Sequence, residues 1–237
     1  MILLKSNLKR ANAARIIFYL LVAISIISFY SYYLQYELLL SWKEGAGIQP
    51  EAAAANDQRQ QIIHRVNLVL LLGSSVLFLM WIYRAYDNLY KLHPDKMDCS
   101  PGWAVGFWFV PVISLYKPYS IVKEIWEKTQ EYVMTEDQKH AIHRAYLVGA
   151  WWVLYLISII SSYVVLGMGD QNSIDGLISL TVALMLSNVF LIIVKVITLI
   201  MINRIVLFEK ELQKHVYTLE MQQPSGTIPG SVNIPGI

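Results

Sequence analysis

The chain has 237 residues, 56% of them hydrophobic and only 15% charged, against about 25% charged in average soluble domains. Apolar residues gathered into long runs place it in the membrane class and exclude an ordinary soluble domain. A net charge of +2 excludes a strongly basic nucleic-acid binder, and a single cysteine, Cys99, excludes an internal disulfide framework.

Residues 1–15 form a tail carrying Lys5, Lys9, Arg10 and Arg15. The first apolar stretch follows, from Ile16 to about Tyr36. A cleaved signal peptide has a shorter apolar region and a small-residue cleavage site. This run is long enough to cross a bilayer and leaves it through Tyr30, Tyr32, Tyr33, Tyr36 and Trp42, an aromatic belt, so it reads as a retained signal anchor. The outer loop from Gly45 to Gln61 contains Glu51-Ala52-Ala53-Ala54-Ala55, a short helix leading into the second span, Val66 to Tyr83.

Past Tyr83 the helix is expected to leave the membrane with Arg84, Asp87 and Asn88 on one face. Leu92-His93-Pro94 ends it, because the residue before a proline disfavours helical geometry. Ser100-Pro101 marks a new start, with Ser100 as N-cap and Pro101 at the first helical position. The apolar run Trp103–Leu115, broken by Pro111, is too short to span and fits an interfacial or re-entrant piece. Gly102 and Gly106 lie four apart and offer a groove to another helix. After Lys117-Pro118-Tyr119, residues 118–130 set Ile121, Val122, Ile125 and Trp126 opposite Lys123, Glu124, Glu127 and Lys128, the pattern of a helix lying flat on the cytoplasmic surface.

The third span runs from Ala145 to Leu166 and opens with Tyr146, Trp151 and Trp152. The fourth, 176–207, is longer than a bilayer requires and must tilt or project. The tail 222–237, with Pro224, Pro229 and Pro235, is expected to be disordered. The expected fold is therefore all-α: an integral membrane protein with four transmembrane helices (16–36, 66–83, 145–166, 176–207) in one domain, 16–221, and a cytoplasmic-side interfacial or re-entrant element, 100–130, between helices 2 and 3. The N-terminal tail holds four lysines and arginines, the segment from Arg84 to Arg144 eight and the C-terminal part three (Arg204, Lys210, Lys214), against three from Lys43 to Arg65 and none in the loop from Gly167 to Asp175. The positive-inside rule then puts both termini in the cytoplasm, in a cell inner membrane.

Five residues stand out as candidate ligand or lipid contacts. Arg84, Asp87 and Asn88 offer a headgroup or ligand site, or else a helix-end network tying the second span to the central element. Trp103, with Trp108 and Tyr116, offers a lipid pocket or a set of interface anchors. Lys195 either snorkels to the inner boundary or lies inside hydrocarbon and needs a partner, with Asn188 and Asn203 flanking it. His140 and His143 have a spacing that can hold a metal, but no further ligand is near in sequence and Arg144 opposes a cation, so they read as a solvated pair. His93, Asp95, Asp98 and Cys99 read as a polar loop. No phosphate loop, zincin motif or nucleophile elbow appears, and serines within the spans read as helix-packing residues.

The signature Trp81-Ile82-Tyr83-Arg84-Ala85-Tyr86-Asp87-Asn88-Leu89, then Ser100-Pro101-Gly102-Trp103-Ala104-Val105-Gly106, then Pro118-Tyr119 and Glu124-Ile125-Trp126, resembles a bacterial membrane family catalogued as a domain of unknown function, DUF4328. The resemblance covers about residues 81–126 tightly and the flanking spans in hydropathy and order. It implies a small multi-span membrane protein and supplies no activity or catalytic residue. The long outer loop and Lys195 depart from it. The expected function is a non-enzymatic module that engages the lipid bilayer, a protein partner or another copy of itself, with no cofactor and no nucleic acid. Two alternatives stay open: a small transporter or channel using Lys195, and a membrane enzyme acting on a lipid-soluble substrate near Arg84 and Asp87.

Overall fold

The computed structural model describes residues 4–47, 49–134, 145–168 and 173–222. These residues form six α-helices and no strand: α1 (Leu8–Lys43), α2 (Pro50–Leu92), α3 (Pro101–Gly106), α4 (Lys117–Glu131), α5 (Tyr146–Gly167) and α6 (Ile174–Gln222). Four of them, α1, α2, α5 and α6, are long and apolar enough to cross a membrane. The histidine pair at 140 and 143, and all of the proline-rich tail beyond Gln222, lie outside the described residues.

The long helices exceed the predicted spans. At ~1.5 Å per residue, the 36, 43 and 49 residues of α1, α2 and α6 reach far beyond ~30 Å of hydrocarbon. The short helix expected at Glu51–Ala55 is fused to the second span in one continuous α2. Pro50 opens the helix, and nothing that follows breaks it: alanine and glutamine are good helix formers, and Gly73 is its one glycine. Gly73 has a packing reason, since a Cβ there would lie 2.9 Å from the Ile17 side chain.

The central segment follows its prolines. Helix α2 stops at Leu92, a single 3-10 turn spans Pro94–Lys96, and Ser100 is the extended N-cap of α3, although its hydroxyl makes no capping bond. Helix α3 has only six residues. The amide of Ile113 bonds the carbonyl of Pro111 at 2.8 Å, and Val112 between them has φ 66 and ψ −50. This is the γ-turn of the rare, strained hand. The expected glycine groove is not used: Gly102 faces open space, and the ring of Trp103 covers Gly106.

The chain forms two compact units. The first, the motif unit, draws on Met1–Ala14, Leu77–Gly149 and Ile200–Ile237. Its core contains Trp81, Ile82, Tyr86, Leu89, Met201, Ile202 and Ile205 together with Ile121, Val122 and Ile125 of α4. Trp126 meets Phe208 edge-on, with ring centroids 5.2 Å apart. The apolar face of α4, expected against lipid, is therefore packed inside protein. Amphipathic spacing demands an apolar neighbour without specifying which.

The second, the span unit, draws on Arg15–Val76 and Ala150–Leu199. Leu68, Val69, Leu72, Ile160 and Leu186 are exposed on it, while Ser25, Ser31, Thr181 and Asn188 are buried. Its helix ends at the two short connections carry an ion pair, Lys43 to Asp175, at 2.8 Å.

Candidate functional site

The signature 81–126 lies wholly in the motif unit, and its polar residues are spent on holding chain segments together. Asn88 is buried and brackets the backbone of Lys5 from both sides: the Lys5 N–H donates to Asn88 Oδ1 at 3.1 Å, and Asn88 Nδ2 donates to the Lys5 carbonyl at 2.8 Å. The side-chain amide thus replaces a peptide group for a strand of chain that has no neighbour of its own. Two residues further along, Asn7 Nδ2 donates to the Trp81 carbonyl at 3.2 Å and to Glu209 Oε1 at 2.9 Å. Asn7 and Glu209 border a shallow cleft with Leu8, Val206, Lys210 and Gln213.

A second node joins α2 to α4. The Tyr86 hydroxyl donates to Glu124 Oε2 at 2.7 Å and accepts from the Cys99 N–H at 3.2 Å, while the Asp98 N–H donates to Glu124 Oε1 at 2.9 Å. Burial pushes the Glu124 carboxyl above its usual range, against the hydrogen bonds from Asp98 and Tyr86. Burial likewise pushes the Cys99 thiol up, which works against the thiolate a nucleophile requires. His93 stacks on Tyr132, with ring centroids 5.1 Å apart. Burial lowers the His93 pKa, with Lys96 adding to the effect, and raises that of Tyr132 to about 12.

Of the candidates, Arg84, Asp87 and Asn88 sit side by side at the end of α2. Asp87 takes Lys91 at 2.7 Å and Arg84 at 3.6 Å, so its carboxylate is a clamp between two cations. Trp103 stacks on Phe107 at 5.1 Å and is otherwise open, 55% exposed. Lys195 falls in the span unit, where its ammonium donates to the hydroxyl of Ser25. Among the described residues no three histidine, cysteine, aspartate or glutamate side chains gather as metal ligands would.

Sequence reasoning missed Asn7 and Glu209, whose contact bridges 202 positions. It also left Tyr86 and Glu124 in separate segments, one within the signature at the end of the second span and the other on the polar face of the helix over 118–130. The one signal present was the polar character of Asn7 and Glu209 at the edges of otherwise helical, partly apolar runs.

The sequence model of a domain of unknown function, DUF4328, matches residues 44–206. The match takes in the whole signature and extends over α2 to α5 and most of α6. No curated protein and no solved structure matches the chain.

Proposed function

The chain belongs to the DUF4328 family, and on that premise we propose that it is a non-enzymatic module of the bacterial inner membrane that engages lipid through the turn between α3 and α4. The observation that carries this reading is an apolar surface with no cover: Phe109 and Val112 are 72% and 73% exposed, and Trp103, Leu115 and Tyr116 each more than half. The γ-turn that aims Val112 outward costs about 1–3 kcal/mol. Fully burying one such side chain contributes about 1.5–3 kcal/mol, so insertion of two or three offsets the strain.

The frame behind this surface is stiff. Asn88, Tyr86 and Glu124 fix α2 to the N-terminal segment and to α4, so the turn is presented rather than left to fold over itself. Lys117 stands 5.6 Å above the Phe107 ring at the edge of the patch, a place for a cation to meet anionic headgroups while its stem stays apolar. Lys5, Lys9, Lys96, Lys123 and Lys210 all belong to the same unit, which supports a cytoplasmic side for it by the positive-inside rule.

Site-directed spin labelling tests the reading. With Cys99→Ser as background, labels at Phe109→Cys and Val112→Cys in reconstituted vesicles should be relaxed by oxygen more than by a water-soluble nickel chelate. Stronger relaxation by the nickel chelate would place the turn in water and end the proposal. Shielding from both reagents would assign the patch to a protein partner or a second copy of the chain.

A further inference from the structure

The span unit encloses a continuous polar seam that the lipid-engagement reading does not use. On α1, Ser25, Ser28, Ser31 and Gln35 are spaced by three, three and four residues, one row on a helix face. The three serines are buried, as are Asn56, Thr181 and Asn188. Helices α2 and α6 answer the row residue by residue. Lys195 donates to the Ser25 hydroxyl, and Asn188 to the Ser25 carbonyl at 3.0 Å. Asn67 donates to the Ser28 hydroxyl at 3.0 Å. Arg59 donates from Nε to the Ser31 hydroxyl at 2.9 Å and from Nη2 to Asn56 Oδ1 at 2.6 Å. Gln60 donates to Gln35 Oε1 at 2.8 Å, and Gln35 in turn to Thr181 at 3.0 Å.

Helix packing alone accounts for the serines, since small hydroxyl residues let helices approach. It does not account for two cations. Among the described residues neither Lys195 nor Arg59 has a carboxylate within ion-pair distance: Asp175 is taken by Lys43, and Asp57, two positions from Arg59, accepts from Asn56 Nδ2 at 3.4 Å. An ammonium has three N–H donors and a guanidinium five. Lys195 uses one on Ser25, and Arg59 leaves Nη1 unused among these bonds. Neutral hydroxyls and amides solvate positive charge without neutralising it, and a charged residue inside a span, as Lys195 is, is costly enough to mark function by default.

We propose that this seam is an anion-binding track with two stations, one at Lys195 and one at Arg59, for a group with phosphate chemistry. The stations are set apart by the six residues from Ser25 to Ser31, about 9 Å along α1. Each offers one cation with N–H donors left over, on the Lys195 ammonium and on Arg59 Nη1, able to meet phosphoryl oxygens, while the Ser25 hydroxyl gives its own proton to the Leu21 carbonyl at 2.7 Å. The group belongs either to free phosphate or to a phospholipid headgroup. The site is separate in residues and in unit from the lipid-engaging turn, so either proposal stands if the other falls.

Two probes test it on the full-length protein in neutral detergent. Inorganic phosphate is titrated at constant ionic strength by calorimetry, and phosphatidylglycerol retained after purification from mixed phosphatidylglycerol–phosphatidylcholine vesicles is counted by native mass spectrometry. Lys195→Met and Arg59→Gln should each weaken binding by about 10-fold or more, Lys195→Arg should restore part of it, and the control Lys214→Gln should leave it unchanged. Saturable phosphate binding lost in the two seam variants identifies a soluble anion. Retained phosphatidylglycerol lost in them identifies a headgroup. The proposal is overturned if wild type binds neither probe better than Lys195→Met, or if Lys214→Gln weakens binding as much as the seam variants do. Should Lys195→Met not assemble by gel filtration, Arg59→Gln at the other station decides the matter by the same two readouts.

Discussion

In the motif unit the side chains removed from solvent are Trp81, Ile82, Tyr86, Leu89, Ile125 and Ile205, and ion pairs such as Arg84–Asp87 and Lys128–Glu131 run along single helices. In the span unit α1, α2, α5 and α6 turn Ile26, Val69, Leu72, Ile160 and Leu186 outward and enclose Ser25, Ser31 and Asn188, with the half-buried Lys195 bonded to Ser25. The first arrangement is what water imposes on an amphipathic chain; the second is what hydrocarbon imposes, since apolar surface there costs nothing and polar groups must find one another. One sequence therefore uses polar residues in two ways. In the motif unit they fasten segments; in the span unit they are collected into a seam.

Substitutions should separate the two regimes. The largest effect is expected for Trp81→Ala, which empties a fully buried site in the motif unit and should cost about 3–5 kcal/mol, seen as a lowered thermal midpoint in detergent. A loss below about 1 kcal/mol would deny that this unit has a packed core. Lys195→Met in the span unit should go the other way, raising stability by about 1–3 kcal/mol as an unneutralised cation is removed from an apolar setting. If both substitutions destabilise equally, the contrast fails. Asn88→Ala, which deletes two bonds to Lys5, should cost about 1–2 kcal/mol and speed amide exchange at residues 5–8 while leaving the span unit unchanged. Val112→Gly should add about 1 kcal/mol by relieving the γ-turn and weaken lipid contact at the same time.

The smallest expected effect is a pH dependence confined to the motif unit. Burial depresses the folded pKa of His93 below its ordinary 6.5. The stability tied to its neutral form is present above pH 6.5 and is lost as pH falls through the depressed folded value, because the unfolded chain takes up the proton first. Glu124 acts oppositely: its raised folded pKa gives a contribution present below the carboxylate's ordinary value and lost as pH rises through the folded one. His93→Gln should therefore flatten the decline below pH 6.5 in thermal melts, leaving the gain from Glu124 at lower pH.

Much of the frame was legible because its signals are local. The four apolar runs, the stop at Leu92, and the restarts at Pro101 and Lys117 follow from hydropathy and from proline's missing donor. The continuity of α2 was not, since polarity suggests an outer loop where alanine and glutamine in fact sustain a helix. The partner of the α4 face was also hidden, because spacing shows a stripe but not what covers it. The candidate trio at 84, 87 and 88 was legible as a cluster, whereas its attachment to Lys5 depends on a contact 83 residues away. The polar seam was visible only as scattered serines, since Ser25, Asn67 and Lys195 come from three helices.

The bond between Asn7 and Glu209 also bears on the order in which the protein is made. Synthesis delivers Asn7 first, yet one of its hydrogen-bond partners emerges only after α1 to α5 and most of the apolar part of α6. The span unit needs nothing beyond Leu199, so it has its full complement of residues while the motif unit still lacks a wall. The N-terminal segment must wait until the end of α6 arrives, and during that interval Trp81, Ile82 and Tyr86 have no cover from Met201, Ile202 and Ile205.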